Sequence, residues 1–250
     1  MRVFSGFEGL PDFGGAVATL GSFDGLHRGH LSLLDSVKEL SAKSGGESVV
    51  MTFDPHPRVV LGRAEGLRLL TTTEEKINLL EGYGIDNLIV IPFDRELSRF
   101  SYRDFVKSYL VDRVKISTLV VGYNHHMGRG SEGGYNDLVK MGCEFGFRVH
   151  RVEEWCDEGH ENISSTVVRR LLASGCVEQA NHLLSRPYQI VGQVDSDGRV
   201  WVADALKLLP SAGRYRVIIN NHSAILDIGE DGVARCDEFG PVLIEVCEKI

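Results

Sequence analysis

Short apolar runs alternate with helix-like segments along the first 184 residues, and this alternation limits the possible folds more than any other feature of the sequence. The runs lie at residues 15–20, 47–53, 88–91, 117–121 and 147–152. Between them, apolar residues recur at the spacing of amphipathic helices. Such an order is typical of a parallel sheet with helices on both faces and right-handed crossovers. The sequence therefore predicts a Rossmann-like α/β domain.

The pattern changes after Arg186 and Pro187, where strand-like runs become shorter. Turn-forming segments follow one another at residues 195–198, 220–223 and 229–232. Turns of this composition join antiparallel strands into hairpins. We therefore predict a first domain over residues 1–186 and a second over residues 187–250, with five or six antiparallel strands in a small β-barrel or sandwich.

Charge and cysteine usage argue against several classes of protein. The chain has 35 acidic and 27 basic residues and a formal charge of -8, which disfavours broad binding to nucleic acid or acidic membranes. Its five cysteines are scattered and form no C-x-x-C pair, so neither a disulfide framework nor a zinc site is indicated. No apolar run is long enough for a signal peptide or a membrane helix. We expect a cytoplasmic protein with small-molecule substrates, no nucleic-acid or membrane partner, and oligomerisation left open.

The segment Gly21–His30 combines a glycine turn with the start of a helix. Backbone N–H groups at a helix start attract anions such as phosphate. His27 and His30 are expected on the first helical turn, and Gly29 between them would let a phosphate approach the backbone. The pattern thus favours phosphate binding, and two surface histidines at a helix start are the alternative.

Three further segments follow predicted strands or open helices. The loops at residues 53–57 and 122–130 lie where the carboxyl ends of parallel strands bind ligands. In the third segment, Ser164, Ser165 and Thr166 can either cap a helix or bind phosphate oxygens, and Arg169 follows one turn later. His125 and His126 have no third ligand at metal-binding spacing and are read as loop residues.

Other phosphate and nucleophile motifs are missing from the sequence. It contains no G-x-x-x-x-G-K-[ST], no G-x-G-x-x-G after the first strand, and no evident Ser-His-Asp or Cys-His set. A direct displacement at phosphorus needs no protein nucleophile. Histidines, an arginine, helix N-terminal amides and Mg²⁺ can position the phosphates and stabilise their charge.

Together these segments resemble the FAD synthetase (FMN adenylyltransferase) module of bacterial bifunctional riboflavin kinase/FAD synthetases, in the nucleotidyltransferase superfamily. Gly21–His30 resembles the family's G-N-F-D-G-x-H-x-G-H, with Ser22 in place of asparagine, and residues 52–57 resemble its T-F-x-P-H-P. The resemblance covers about residues 12–194 and implies transfer of AMP from ATP to FMN with Mg²⁺.

The resemblance also implies roles for individual residues. The catalytic residues would be His27, His30 and Arg169, with the histidines stabilising the α-phosphate and the leaving pyrophosphate. The ATP-binding residues would be Gly21, Phe23, Asp24, Gly25, Gly29, Ser164, Ser165 and Thr166. The FMN-binding residues would be Phe53, Pro55, His56, Pro57, Asn124, Gly128 and Arg129. The metal ligands stay unknown, and residues 125–127 depart from the family's aromatic-basic-aromatic pattern.

The second domain departs further from the family, which carries a riboflavin kinase barrel with a P-T-A-N motif. That motif is missing from this sequence, although residues 208–217 resemble the segment leading into a barrel strand. We therefore expect a shortened, degenerate barrel without riboflavin kinase activity. Two alternatives remain. The first is another nucleotidyltransferase of the superfamily, for example one that acts on pantetheine phosphate or a cytidylyltransferase. The second is a non-catalytic protein that binds flavin nucleotides or has a regulatory role.

Overall fold

The computed structural model describes residues 1–123, 125, 133–153 and 163–250. The chain divides into two compact units, and each unit is built from separate stretches of sequence. Unit 1 contains Met1–Phe23, Gly29–Gly66 and Ile77–Trp155, and unit 2 contains Asp24–Arg28, Leu67–Lys76 and Cys156–Ile250. The domain boundary that the sequence predicts near residue 186 stays a prediction, and it lies inside unit 2.

Unit 1 contains a six-stranded parallel sheet in the order β1-β4-β3-β2-β5-β6. Its strands are β1 Arg2–Ser5, β2 Ala16–Leu20, β3 Ser48–Asp54, β4 Asn87–Pro92, β5 Ile116–Val121 and β6 Arg148–Arg151. The Rossmann-like prediction is confirmed, with five strands close to their expected positions. The edge strand β1 was not predicted, because it has four residues and none of them is fully buried.

Helices cover both faces of this sheet. Among the residues described up to 145, the α-helices are α1 Arg28–Ser44, α2 Pro57–Val60, α3 Thr73–Gly82, α4 Tyr102–Phe105, which continues as a π-helical stretch over Val106–Val111, and α5 Tyr135–Phe145, and a 3-10 helix covers Leu97–Arg99. Val37 of α1 packs with Val17 and Val120 on one face. Leu138 of α5 belongs to the larger core that contains Ala18, on the other face. Successive residues of a strand point to opposite faces of the sheet, so Val17 packs into the core on one face and Ala18 packs into the core on the other.

Unit 2 contains α6 Ser165–Ala173, α7 Val177–Leu184 and a six-stranded antiparallel sheet. The strands are β7 Tyr188–Val194, β8 Val200–Trp201, β9 Gly213–Ile219, β10 His222–Ile228, β11 Ala234–Arg235 and β12 Gly240–Lys249, in the order β11-β10-β9-β12-β7-β8. An antiparallel bridge between Arg199 and Arg235 nearly closes the sheet into a barrel. The predicted hairpin turns join β7 to β8, β9 to β10 and β10 to β11.

The two helices of unit 2 share a core with the barrel. Val168 and Leu172 of α6 and Leu184 of α7 are buried in the same apolar cluster as Tyr215 and Ile244 of the barrel strands. Burying side chains of this size stabilises a fold by about 1.5–3 kcal/mol each. Unit 2 is thus stabilised by packing of helices against the barrel.

Within the residues that the structure describes, no helix is both long and apolar enough to cross a membrane.

Candidate functional site

Two of the predicted loops lie at the carboxyl edge of the parallel sheet of unit 1. Strand β2 lies between β3 and β5 in the sheet. The strands β3 and β4 are added on one side of β2, and the strands β5 and β6 are added on the other side, so the order of the strands reverses at β2. Ligands bind at such a switch point in open α/β sheets. Gly21 follows the end of β2, and residues 53–57 include the end of β3. The strand order therefore brings the two loops to one edge, as the sequence predicts.

Hydrogen bonds join the loop after β2 to strand β3, just before residues 53–57. The backbone N–H of Gly21 donates to the carbonyl of Met51 over 3.1 Å, and the hydroxyl of Thr52 donates to the carbonyl of Ser22 over 3.2 Å. The buried ring of Phe23 lies edge-on to the imidazole of His30, with ring centroids 5.2 Å apart. The Phe23 ring thus lies between Gly21, whose added Cβ would be 3.3 Å from it, and the imidazole of His30 in α1.

The loop at residues 53–57 has a defined shape. The Asp54–Pro55 peptide bond is cis, and Pro57 is the first residue of α2. Nδ1 of His56 accepts a hydrogen bond from the backbone N–H of Arg58 over 3.1 Å and so caps α2. Phe53 packs edge-on against Phe93, with centroids 5.3 Å apart. The expected FMN-binding loop therefore leads directly into α2 and has an aromatic pair at its base.

The loop after β5 is described only in part. Gly122 follows Val121, the last residue of β5, and the backbone N–H of His125 donates to the carbonyl of Gly122 over 3.2 Å. Asn124, Gly128 and Arg129, the other expected FMN-binding residues, lie outside the described residues, as do His126 and Met127.

A second group of predicted residues lies together in unit 2, around Asp24. Its Oδ1 accepts hydrogen bonds from the backbone N–H groups of Leu70 and Thr71, over 2.9 and 3.0 Å. Its Oδ2 lies 2.5 Å from Nη2 of Arg169, and only 4% of the Asp24 side chain is exposed. The hydroxyl of Ser165 donates to the backbone carbonyl of Asp24 over 2.8 Å. Asp24 thus connects three separate segments of the chain and orients Arg169.

The first turn of α6 carries the three expected phosphate-binding hydroxyls in different settings. Ser164 is the N-cap residue of α6, and its Oγ accepts from the backbone N–H of Val167 over 3.3 Å. Ser165 is bonded to Asp24, whereas Thr166 is exposed. The helix-cap reading is therefore correct for Ser164. Arg169 has 19% of its side chain exposed, and its Nε is buried without a hydrogen-bond partner among the described residues.

His27 occupies a different position from the expected one. Helix α1 begins at Arg28, so His30 lies in its first turn but His27 directly precedes it. The helix starts late because Gly25 and Leu26 have positive φ angles of 85° and 44°, which an α-helix cannot contain. The prediction that both histidines share the first turn is therefore wrong for His27.

Burial makes the His27 imidazole a weak base. Only 6% of the residue is exposed, and this burial lowers the pKa of His27 from 6.5 to about 4. The positive charges of Arg186 and Arg169 lower this pKa further, whereas the Asp24 carboxylate opposes the shift. His27 is consequently neutral at pH 7 and can donate or accept a hydrogen bond without carrying a charge.

Sequence reasoning missed three charged residues of unit 2 that are partly or fully buried. Arg186 donates hydrogen bonds to the backbone carbonyls of Gly25 and Leu26, and Lys207 forms an ion pair with Glu75. The Glu75 and Lys207 side chains are each 1% exposed. The one available signal was the position of Arg186 at the predicted domain boundary. Nothing near Lys207 in the sequence marks it as buried.

Comparison with known proteins agrees with the resemblance. Residues 11–167 match the model of the FAD synthetase family. Three relatives named bifunctional riboflavin kinase/FMN adenylyltransferase come from Escherichia coli K12, Listeria monocytogenes and Pseudomonas fluorescens. They are 36%, 35% and 33% identical to this chain over 72%, 73% and 78% of its length, and the matches cover 57%, 59% and 62% of the relatives. The chain thus spans less than two thirds of these relatives.

A solved structure shows the fold over the whole chain. The crystal structure of a macrolide-efflux protein from Streptococcus pneumoniae superposes with a TM-score of 0.85 and 22% sequence identity, covering 100% of this chain and 91% of the other. At this identity the likeness supports the fold alone. The family assignment comes from the sequence match over residues 11–167, which includes Gly21–His30 and Ser164–Val167. The chain therefore belongs to the FAD synthetase family.

Proposed function

We propose that this chain transfers the AMP moiety of ATP to FMN. A phosphate oxygen of FMN attacks the α-phosphorus of ATP and forms the new P–O bond of FAD. The bond between the α-phosphorus and its bridging oxygen to the β-phosphate breaks, and pyrophosphate leaves with the electron pair. The catalytic groups of such a reaction position the two phosphates and stabilise the charge that develops between them.

The observation that carries this proposal is the setting of Arg169. Its guanidinium is held by the buried Asp24 carboxylate. Arg169 lies two residues after the end of the FAD synthetase match at residue 167. A partly exposed guanidinium that is held by an ion pair, about one turn after the N-cap of α6, suits the oxygens of a triphosphate. We assign Arg169 to the phosphates of ATP, with Asp24 as the residue that orients it and Ser164, Ser165 and Thr166 as the surrounding helix start.

The two histidines have different chemistry in this proposal. His27 is neutral at pH 7, since its pKa is about 4, so it contributes a hydrogen bond and no net charge to the α-phosphate. Positive charge then comes from Arg169 and from the helix N-termini. We keep as part of the proposal the assignment that the family resemblance implies for His30, Gly21, Phe23, Gly25 and Gly29, which is binding of ATP.

We propose that FMN occupies the carboxyl edge of the sheet beside residues 53–57. Proline and aromatic side chains there offer apolar surface for a planar ring system, and Phe53 and His56 are held by contacts within unit 1. Asn124, Gly128 and Arg129 belong to the same proposed FMN site.

Magnesium enters this scheme as part of the substrate MgATP. Among the described residues, no group of three or more His, Cys, Asp or Glu side chains could hold a metal ion. Mg²⁺ commonly keeps several waters and binds substrate phosphates with one or two carboxylates, so a protein cage is not required. Magnesium supplies charge neutralisation on the phosphates when bound.

We further propose that the chain does not phosphorylate riboflavin, although its relatives are named as bifunctional. The reason is that the Pro-Thr-Ala-Asn sequence of the family's kinase site does not occur in these 250 residues.

Purified protein incubated with FMN and MgATP tests the main proposal, with FAD and pyrophosphate quantified by chromatography. We expect FAD from FMN and no FMN from riboflavin. Arg169→Ala should abolish most turnover, whereas Arg170→Ala, at the exposed neighbouring position, should not. A folded protein that forms no FAD would contradict the proposal.

Parallel reactions with pantetheine phosphate and with CTP test whether the chain is another nucleotidyltransferase. Tight flavin binding without turnover would indicate a non-catalytic binding protein.

A further inference from the structure

Arg186 connects the end of α7 to the loop that carries His27. Its Nη2 donates to the carbonyl of Gly25 over 2.6 Å, and its Nη1 donates to the carbonyl of Leu26 over 3.1 Å. Nη1 also donates to the carbonyl of Leu184 over 3.1 Å. All of these residues belong to unit 2. One guanidinium therefore holds the two peptide carbonyls that come directly before His27.

The neighbouring residue, Ser185, holds the chain on the other side of His27. Its Oγ accepts a hydrogen bond from Nε of Arg28 over 2.8 Å. Ser185 itself has a φ of 57° as the last residue before the chain leaves α7. Two consecutive residues thus bind both flanks of the loop Asp24–Arg28, which we call the His27 loop.

The His27 loop needs such support because its backbone is in an unfavourable conformation. Leu26 has a φ of 44°, in the left-handed region that non-glycine residues rarely adopt. Such a conformation persists only when surrounding contacts enforce it. The bonds from Arg186 fix the orientation of the two peptide groups on either side of Leu26, and these peptides set where the His27 side chain emerges.

Arg186 also acts on His27 through its charge. Burial lowers the pKa of Arg186 to about 10, so the guanidinium is still cationic at neutral pH. Its positive charge is one of the causes that lower the pKa of His27. The hydrogen bonds and the charge of Arg186 can be removed separately by substitution, because lysine keeps the charge but lacks the planar fork that reaches two carbonyls at once.

We propose that Arg186 is a positioning residue for adenylyl transfer, which holds the His27 loop through the carbonyls of Gly25 and Leu26. This inference rests on the proposed function, since it assigns His27 to the α-phosphate of ATP. Arg186 itself touches no reacting atom in this scheme. It lies at the point where α7 ends and the barrel begins, so the barrel-side part of unit 2 contributes to the reaction without carrying a catalytic group.

Steady-state kinetics of FAD formation test the positioning role. Arg186→Lys should lower kcat by about tenfold or more and change KM for ATP by less than about threefold, because ill-positioned groups lose mainly transition-state contacts. Arg214→Lys is the matched control, since Arg214 pairs with Asp227 on the exposed surface of the barrel. Wild-type kcat in Arg186→Lys would overturn the proposal.

Titration of His27 by NMR separates the two effects and does not depend on turnover. The pKa of His27 measured by this titration should stay low in Arg186→Lys, as in the wild type. It should rise in Arg186→Met, because only that variant loses the positive charge at position 186. The His27 resonances of Arg186→Lys should nevertheless shift, because the loop has lost its fixed geometry. Unchanged His27 resonances in both variants would overturn the proposal, even in a protein that makes FAD. Absence of FAD from the wild type, with the expected His27 titration, would contradict only the proposed function.

A wild-type measurement covers the case in which both variants fail to fold. Guanidinium Nη protons that bond to buried carbonyls rotate and exchange slowly, so those of Arg186 should be resolved and protected from solvent. Those of the exposed Arg214 provide the reference. Rapid exchange of the Arg186 protons at the same rate as those of Arg214 would overturn the proposal.

Discussion

Nη2 of Arg169 lies 2.5 Å from Oδ2 of Asp24, an ion pair between residues 145 positions apart in the sequence. Because the other carboxylate oxygen of Asp24 is bonded to two backbone N–H groups, Asp24 cannot turn away from Arg169 without losing them. The direction of the guanidinium is thus fixed by the peptide backbone at Leu70 and Thr71.

Asp24→Asn should lower kcat for FAD formation by roughly 10- to 100-fold, because Arg169 loses its charged partner and its fixed orientation. The double variant Asp24→Asn/Arg169→Ala should be scarcely worse than Arg169→Ala alone, since both changes remove the same function. Stopped FAD assays on the four proteins measure this coupling. Asp227→Asn, which breaks the exposed pair with Arg214, is the control. Fully multiplicative losses in the double variant would show that Asp24 does not act through Arg169.

The stability of the protein should depend on pH through His27. The pKa of His27 is about 4 in the folded chain and 6.5 in a model peptide, so the unfolded chain binds more protons between these values. The free energy of unfolding should therefore decrease as pH falls from 6.5 to 4, with a His27 contribution of about 3 kcal/mol. Urea unfolding at several pH values should show a shallower decrease for His27→Gln. His222→Gln, at an exposed position, should keep the wild-type profile. Parallel profiles for wild type and His27→Gln would contradict this assignment.

Gly25→Ala should destabilise unit 2 by about 1–3 kcal/mol. Gly25 has a φ of 85°, and an added Cβ would lie 2.6 Å from Cδ1 of Leu70. Gly45→Ala is the matched control, because Gly45 has a φ of 74° but no heavy atom within 4 Å of the added Cβ. The difference between the two variants in denaturant midpoint isolates the collision with Leu70 from the backbone effect. Equal losses in both variants would mean that Leu70 moves aside freely.

The buried pair of Glu75 and Lys207 should show strong energetic coupling. Lys207→Met leaves the Glu75 carboxylate buried without its cation and should cost about 3–5 kcal/mol of stability. Burial already lowers the pKa of Lys207, against the attraction of Glu75, which indicates how costly the charge is without its partner. The double variant Glu75→Gln/Lys207→Met should recover part of the loss, as measured by a double-mutant cycle in urea. Additive losses would exclude the coupling.

Local patterns in the sequence were sufficient to predict most elements of the fold. Strand β5 was expected from an apolar run, the end of α5 from Gly146, which has a φ of 83°, and the barrel hairpins from their turn residues. Each of these signals acts within a few residues of the chain. The four-residue strand β1 has no such signal, because its pairing with β4 alone defines it.

The sequence predicts which residues form the candidate site, and that assignment stays a prediction, but it does not predict the contacts of these residues. The motifs located His27, Asp24 and Arg169, yet the roles of these residues depend on partners far away in the sequence. Arg186 and Gly25 are 161 residues apart, and Lys207 and Glu75 are 132 apart. Binding of ATP by Asp24 stays a prediction, while the contacts of its carboxylate with Leu70, Thr71 and Arg169 are the part that no local pattern could reveal.

The interleaved arrangement of the two units has a consequence for synthesis on the ribosome. Every residue of unit 1 is translated before residue 156, so unit 1 can fold while Cys156–Ile250 is still being made. At about 5–20 residues per second, the nascent chain carries the His27 loop and the segment Leu67–Lys76 without their partners for several seconds. During that interval Asp24 and Glu75 lack Arg169 and Lys207, the residues with which they form ion pairs in the complete chain. Only completion of translation allows the two buried ion pairs to form.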